Sequence, residues 1–512
     1  MLEIVLDGET LAPDTLWAAA QTALNPSQRL KVRMSESAKQ RILKSARFVE
    51  SIVQKGAPVY GINTGFGKFA EVRVSDSQLA ELQKNLILSH ACGVGPSLSR
   101  DLVLAMWLIR LNVIARGNSG VRLETVDRII TFLEKGLLAD IPCQGSVGAS
   151  GDLAPSAHAT LPLLGEGPCS YPANGAIIRS SAREALAALD LEVLQLGPKE
   201  GLGLINGTQL TTAYAVKACI EGRRLLQTAN LSLALMMEGL QATHVLADPR
   251  ILRSRNQPGA EACGSELRGW LEGGSAINAG HKDCGQVQDP YSLRCAPQVH
   301  GAVAEELDRA WQTVARELNS STDNPLLFPD DSESLSGGNF HAIYTARVCD
   351  ALSSALTTLA NISERRIALS MSKSSNKLHA FLVVDGGLNS GFMMAQVTAA
   401  ALVSECKTLS FPASVDSIPT SDDREDHVSM GPIAGRKLQQ IIENARSVLA
   451  IEIMAACQAI DLLRPLKSTR RLEKAHALVR SKVAFLDHDR ILAPDFEALS
   501  RLIVTGSLLE VS

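Results

Sequence analysis

The stretch GSVGASGDLAP, residues 145–155, holds two serines and one aspartate among small residues, and no histidine, cysteine or lysine. With so few reactive side chains present, the backbone itself can be a reactant. In Ala149-Ser150-Gly151 the glycine nitrogen is unhindered. If the loop is bent tightly, that nitrogen can attack the Ala149 carbonyl carbon and close a five-membered ring. Loss of water, including the Ser150 hydroxyl, then leaves an alkene conjugated with the ring carbonyl. The product is an electrophile, which the standard side chains do not supply. Gly148 and Asp152 are residues that help set such a bend. By composition alone, the same stretch also reads as a Gly-rich turn that caps the helix after Asp152, or as a phosphate-cradling loop.

Such a loop needs a rigid frame, and the apolar patterning describes one. Val348, Leu352, Ala355, Leu356, Leu359 and Ile362 recur at three- and four-residue steps, a helical stripe. A second stripe starts at Leu438, Ile441, Ala445, Val448 and Leu449 and continues through Ile453 and Cys457 until Pro465 stops it. The segment from Phe392 to Leu409 is Ala-rich and apolar over most of its circumference, which places it inside a bundle. Ser99 is a cap for a helix over Arg100–Arg116 that Gly117 ends. Leu79, Leu82, Leu86 and His90 share one face of an earlier helix. Strand signals are short, at Glu3–Val5 and Ala176–Ile178. Loops concentrate at 56–68, 141–153, 255–297 and 411–428, where Gly, Pro, Asn and Asp cluster. The fold class is therefore mainly α, with a long central helix bundle and a loop-rich N-terminal region.

Composition narrows the function classes. The chain has 512 residues, 50 basic and 54 acidic, a formal charge of -4, so nucleic acid and anionic membranes are not expected partners. The opening MLEIVLDGETLAP has no basic n-region, and the apolar run Leu231–Met237 is too short for a bilayer. The expected compartment is the cytoplasm. The ten cysteines form no CxxC pair, so no metal site is expected and the thiols are read as reduced and mostly buried. GINTGFG and GLGLINGT miss the dinucleotide spacing, and the GFGK lysine is not followed by Ser or Thr.

GSVGASGDLAP closely resembles the signature of the aromatic amino acid ammonia-lyases. Further blocks of the same family stand around it in the family's order: YGINTGFG (60–67), LSHACGVG (88–95), LINGTQ (204–209), QDPYSLRC (288–295), SGGNFHA (336–342), GLNSGF (387–392), FPASVDSIPTS (411–421) and EDHVSM (425–430). The resemblance implies that Ala149-Ser150-Gly151 cyclise to 4-methylideneimidazole-5-one (MIO), with no external cofactor. It also implies a homotetramer with a central bundle of long helices, each active site borrowing residues from three subunits. The expected segments are 1–205, carrying the MIO loop, 206–465, the long-helix bundle with substrate-binding loops, and a helical 466–512.

His90 and Glu425 match the positions that serve an imidazole in the histidine-acting members, so the expected substrate is L-histidine and the expected products trans-urocanate and ammonia. By resemblance, Tyr60 is the leading base for the β-proton, and Glu425 shares proton traffic or holds the imidazole. Arg294 has the planar fork suited to a substrate carboxylate. Tyr291, Gln288 and Asn206 would hydrogen-bond the electrophile, the amine or the carboxylate, and Phe340 would shape the wall near the ring. Taken singly, each residue has an ordinary reading: His90 a core histidine, Arg294 an ion pair, Glu425-Asp426 a solvated acidic pair, Asn206-Gly207 a turn, Tyr60 and Phe340 packing, Tyr291 and Gln288 loop residues. Three positions depart from the family pattern. Ile343 stands where Glu is common, His379 where Pro is usual, and Pro162 should kink or end the helix after the loop. The first two leave open a related lyase for another aromatic or modified amino acid, or a 2,3-aminomutase. A catalytically silent scaffold is the alternative from another class.

Overall fold

The computed structural model describes residues 1–69, 71–279, 287–372 and 378–511. The described chain is mainly helical and falls into two units. Unit 1 comprises Met1–Lys217, Trp311–Asp350 and Pro412–Arg436; unit 2 comprises Ala218–Ala310, Ala351–Phe411 and Lys437–Ser512. Four long helices, Gln209–Gly239, Ala296–Glu317, Ile343–Met371 and Gly431–Leu462, contribute residues to both.

Unit 1 is built around the helix Arg100–Ala115, which is buried on every side from Asp101 to Ala115. Its sequence, LVLAMWLIRLNVIA after the first turn, leaves no polar face to turn toward water. Ser99 stands at the N-cap as expected, but its side chain makes no cap bond; its carbonyl accepts from Val103 at 3.2 Å. Gly117, at φ 83°, ends the helix, its N–H donating to the Ile114 carbonyl at 2.9 Å. The expected strand at Glu3–Val5 is Leu2–Leu6, paired in parallel with Leu30–Met34 from Leu2↔Leu30 to Leu6↔Met34. The one at Ala176–Ile178 is Ala176–Ser181, antiparallel to Pro168–Ala173. A short pair, Val94–Ser97 with Pro142–Gln144, lies just before the 145–152 loop and fixes its entry. The exit is the helix Leu153–Thr160, which ends as Pro162 predicts: a 3-10 turn, Leu161–Leu164, takes over.

Among the described residues unit 2 is helical, and its deepest ion pair is Arg366 with Glu452. Arg366 and Glu452 are fully buried and form a fork, with Nη2 to Oε2 at 2.9 Å, and Ser363 Oγ donates to the same carboxylate at 2.5 Å. Burying either ion alone would be strongly destabilising, so the pair must be complete. The stripe from Leu438 belongs to Gly431–Leu462, which stops ahead of Pro465. Two expectations are corrected. The 255–297 segment is not a continuous loop: Pro258–Trp270 is a helix whose buried face is Gly259, Ala260, Cys263, Gly264, Leu267 and Trp270. Its apolar spacing is helical, and its three glycines masked that. The helix Met393–Leu409 is not deeply buried either. Only Ala395, Ala399, Val403 and Cys406 are covered, while Met393, Met394 and Val397 are exposed in the single chain. An apolar circumference shows that a segment needs cover, not that its own chain provides it. Among the described residues no helix is long and apolar enough to cross a membrane, and the described cysteines are free, most of them buried.

Candidate active site

The loop 145–152 is folded into a tight reversal. Gly148, Ser150 and Gly151 all have positive φ (80°, 49° and 81°), and the Gly151 N–H donates to the Gly148 carbonyl at 3.2 Å. For serine this is a strained conformation, stored where surrounding contacts over-determine it. Those contacts are specific. Gly151 bridges Gly207 in a parallel pairing, and a Cβ built on Gly151 would sit 2.1 Å from the Gly207 carbonyl oxygen and 3.0 Å from that of Phe340. The Asp152 N–H donates to the Gly207 carbonyl at 2.7 Å. From the other side, the Met430 N–H donates to the Val147 carbonyl at 2.9 Å.

Asp152 does not cap the helix that follows it. Its carboxylate reaches instead to the start of Gln209–Gly239: Oδ2 accepts from the N–H groups of Leu210 (2.7 Å) and Thr211 (2.9 Å), and Oδ1 from the Thr211 hydroxyl (2.8 Å). Burial pushes this carboxyl up to about 6, and those three hydrogen bonds oppose the shift. The carboxylate thus ties the loop to an adjacent helix N-terminus, where the backbone field favours an acceptor.

In front of the loop is a cavity of about 590 Å³ lined wholly by unit 1, including Tyr60, His90, Ala149, Ser150, Thr420, Ser421, Asp422 and Glu425. Five of these, Tyr60, His90, Ala149, Ser150 and Glu425, are residues that the sequence pattern assigns to the site. Ser150 Oγ donates to Glu425 Oε1 at 3.2 Å. The other carboxylate oxygen, Oε2, accepts from Thr420 Oγ1 at 2.8 Å and Ser421 Oγ at 2.7 Å. His90, last residue of Leu79–His90, has Nδ1 2.8 Å from the Leu86 carbonyl, which can only accept. Nδ1 therefore carries the proton and Nε2 is an acceptor. Burial holds the His90 imidazole below its ordinary range, against the Leu86 carbonyl and the Glu425 charge. Burial likewise raises the Tyr60 phenol, and the Glu425 charge adds to it, while a contact with the Gly67 backbone opposes.

Asn206 and Phe340 also converge on the loop. Asn206 Nδ2 donates to the Ser150 carbonyl at 3.0 Å, while its Oδ1 is buried with no hydrogen-bond partner. A buried orphan acceptor is costly, so a donor belongs there. Gln288, Tyr291 and Arg294 lie in unit 2 and do not line the cavity. Tyr291–Arg294 form a single helical turn, with the Arg294 guanidinium 4.7 Å from the Tyr291 ring centre, and its Nε is buried without a partner. Ile343 opens the helix Ile343–Met371, and His379 precedes a short 3-10 turn at Ala380–Leu382; neither lines the cavity. Among the described residues no lysine or arginine lines it.

Thr420 and Ser421 were not singled out from sequence, although they sit inside a matching block, five and four residues before Glu425. The signal is the bridge Thr420↔Glu425, which folds that stretch back on itself and which residue types alone do not announce.

The residues present fit an internally formed ring. The reversal brings the three residues into a tight turn, no side chain can stand at 151, and Asn206 offers one donor to the Ser150 carbonyl and one unfilled acceptor. A mainly helical frame carrying such a loop defines a lyase of the ammonia-lyase type. The aromatic amino acid lyase family model matches residues 13–481, and the chain belongs to that family. It is similar to a histidine ammonia-lyase of Anaeromyxobacter sp. (strain K), 46% identical over 99% of this chain and 100% of the relative. Among solved structures it is similar to histidine ammonia-lyase from Trypanosoma cruzi (TM-score 0.91, 40% identity, 100% of this chain and 95% of that one). It is also similar to tyrosine aminomutase from Streptomyces globisporus (TM-score 0.91, 33% identity, 100% and 98%).

Proposed function

We propose that this chain catalyses the non-oxidative deamination of L-histidine to trans-urocanate and ammonia. The observation that carries the reading is the meeting of His90, Glu425 and Ser150 in one cavity, with Glu425 Oε1 3.2 Å from the Ser150 hydroxyl. The relatives that act on histidine support it.

Cyclised and dehydrated to MIO, Ala149-Ser150-Gly151 supply the electrophile that makes the substrate amine a better leaving group. The chain's other residues do the rest. Asn206 holds the Ser150 carbonyl through Nδ2 and offers Oδ1 to the incoming amine. His90 Nε2 and the Glu425 carboxylate face the two N–H groups of an imidazolium as acceptors, with Thr420 and Ser421 holding Glu425 from behind. Tyr60 takes the β-proton. Phe340, whose backbone carbonyl approaches Gly151, is assigned the wall beside the ring.

The substrate carboxylate needs a cation that the described lining does not contain. We assign that role to Arg294, with Tyr291 and Gln288 beside it, supplied by a neighbouring copy in a homotetramer whose sites each borrow from three subunits. The exposed Met393, Met394 and Val397 support burial against another copy. Sedimentation analysis tests the assembly; a monomer with full activity refutes it.

Incubation with L-histidine and identification of the product tests the reaction. Urocanate upholds it, β-histidine replaces it with a 2,3-aminomutase, and absence of turnover overturns it. Intact mass tests the ring separately, since cyclisation and dehydration each remove one water.

A further inference from the structure

We propose that Arg110 is a positioning residue for this site: its guanidinium fixes the Asn206–Gly207 turn and, through it, the amide that holds the Ser150 carbonyl. Arg110 projects from the middle of Arg100–Ala115 and its side chain is 1% exposed. Nε donates to the Gly203 carbonyl at 2.7 Å, Nη1 to the Asn206 carbonyl at 2.7 Å, and Nη2 to Asp323 Oδ2 at 3.0 Å. Gly203 and Asn206 lie at the end of the helix Glu200–Ile205, where the last carbonyls lack intrahelical partners. One planar fork serves both at once, which an ammonium on a flexible stem cannot do.

The turn so held is the one the loop depends on. Asn206 Nδ2 reaches the Ser150 carbonyl, and the Gly207 carbonyl receives the Asp152 N–H. A Cβ built on Gly207 would lie 3.0 Å from Arg110 Nη1 and 2.3 Å from the Thr322 carbonyl oxygen, so the turn is enclosed on two sides. Asp323 also accepts from Lys199 Nζ at 3.2 Å, and Lys199 donates to the Ser119 carbonyl at 2.9 Å. Asp323 thus already has a cation, and the guanidinium is not required for charge pairing alone. Its distinctive contribution is the pair of carbonyl contacts.

This inference rests on Asn206 serving the electrophile, so wild-type protein is first assayed for the loss of two waters and for turnover of L-histidine. Failure there overturns that reading, whatever Arg110 does. Arg110→Lys then keeps the charge and Arg110→Gln keeps a planar donor. Both are expected to fold and assemble as wild type while kcat falls about tenfold to hundredfold, as displaced catalytic geometry does, with KM changed less than about threefold. Combined with Asn206→Ala, either variant should lower kcat by no more than about twofold beyond Asn206→Ala alone, because coupled residues are not additive. A variant of wild-type unfolding temperature that keeps the two waters also upholds the proposal. Folded, ring-bearing variants with kcat within about twofold of wild type, or losses that multiply in the double variant, overturn it. So does failure of both variants to fold, which would make the guanidinium a folding element only.

Discussion

The sharpest test of the imidazole pocket is Glu425→Gln. Glu425 presents two oxygens with different duties. Oε2 accepts from the hydroxyls of Thr420 and Ser421, at 2.8 and 2.7 Å, while Oε1 faces the cavity and, among the described residues, accepts only from the Ser150 hydroxyl, at 3.2 Å. Ring formation consumes that hydroxyl and leaves Oε1 as a free acceptor for a substrate N–H. Glutamine keeps the shape. Its carbonyl can take the cavity-facing position, because both hydroxyls can rotate from donating to accepting from the amide. What it loses is the charge. A hydrogen bond to a charged group contributes about 1.5–3 kcal/mol and a neutral one about 0.5–1.5 kcal/mol, so the loss is about 1–2 kcal/mol. That corresponds to about a five- to thirtyfold fall in kcat/KM for L-histidine, with the fold and the ring mass unchanged. The assay is steady-state urocanate formation, alongside intact mass and thermal unfolding. A change below about twofold would remove Glu425 from the substrate ring. A fall beyond about a thousandfold would refute the holding role in the other direction, because losses of that size belong to an acid–base group.

Three further outcomes follow from the same geometry. Ser150→Ala should fold normally, show no dehydration in its mass and lose nearly all turnover; wild-type activity would end the prosthetic reading. If Tyr60 takes the proton it must be ionised, and burial raises its phenol, so kcat/KM should climb with pH on the alkaline side and the climb should vanish in Tyr60→Phe. A profile already flat above neutrality would assign the proton to another group. Gly207→Ala should lower the unfolding temperature and abolish turnover, since its Cβ would meet the Thr322 carbonyl oxygen at 2.3 Å with φ at +144°; overpacking of this kind costs about 1–3 kcal/mol. An alanine variant that melts and turns over like wild type would show that the turn is not constrained.

Much of this protein was legible from local pattern. The ring-forming role of Ala149-Ser150-Gly151 comes from the resemblance of nine ordered blocks and not from residue type alone, and the loop is bent tightly, with positive φ at Gly148, Ser150 and Gly151. The helices around Val348–Ile362 and Leu438–Cys457 and the stop at Pro162 followed from periodicity and from the missing proline N–H. These are properties of a few neighbouring residues, so sequence determines them.

Tertiary structure decided the partners. Asp152 reads from sequence as a residue that helps set the bend, yet its carboxylate serves Leu210 and Thr211, about sixty residues on; a carboxylate goes to whichever unpaired N–H groups packing brings within reach. Arg110 looks like a stray charge in an apolar helix until the carbonyls of Gly203 and Asn206 arrive beside it. Met393–Leu409 has the composition of a core helix, but the single chain covers only one stripe of it. Sequence states what each residue can bond to or hide from water. Which groups are close enough to satisfy it is settled only when distant segments pack, because hydrogen bonds and burial act over a few ångströms and not along the chain.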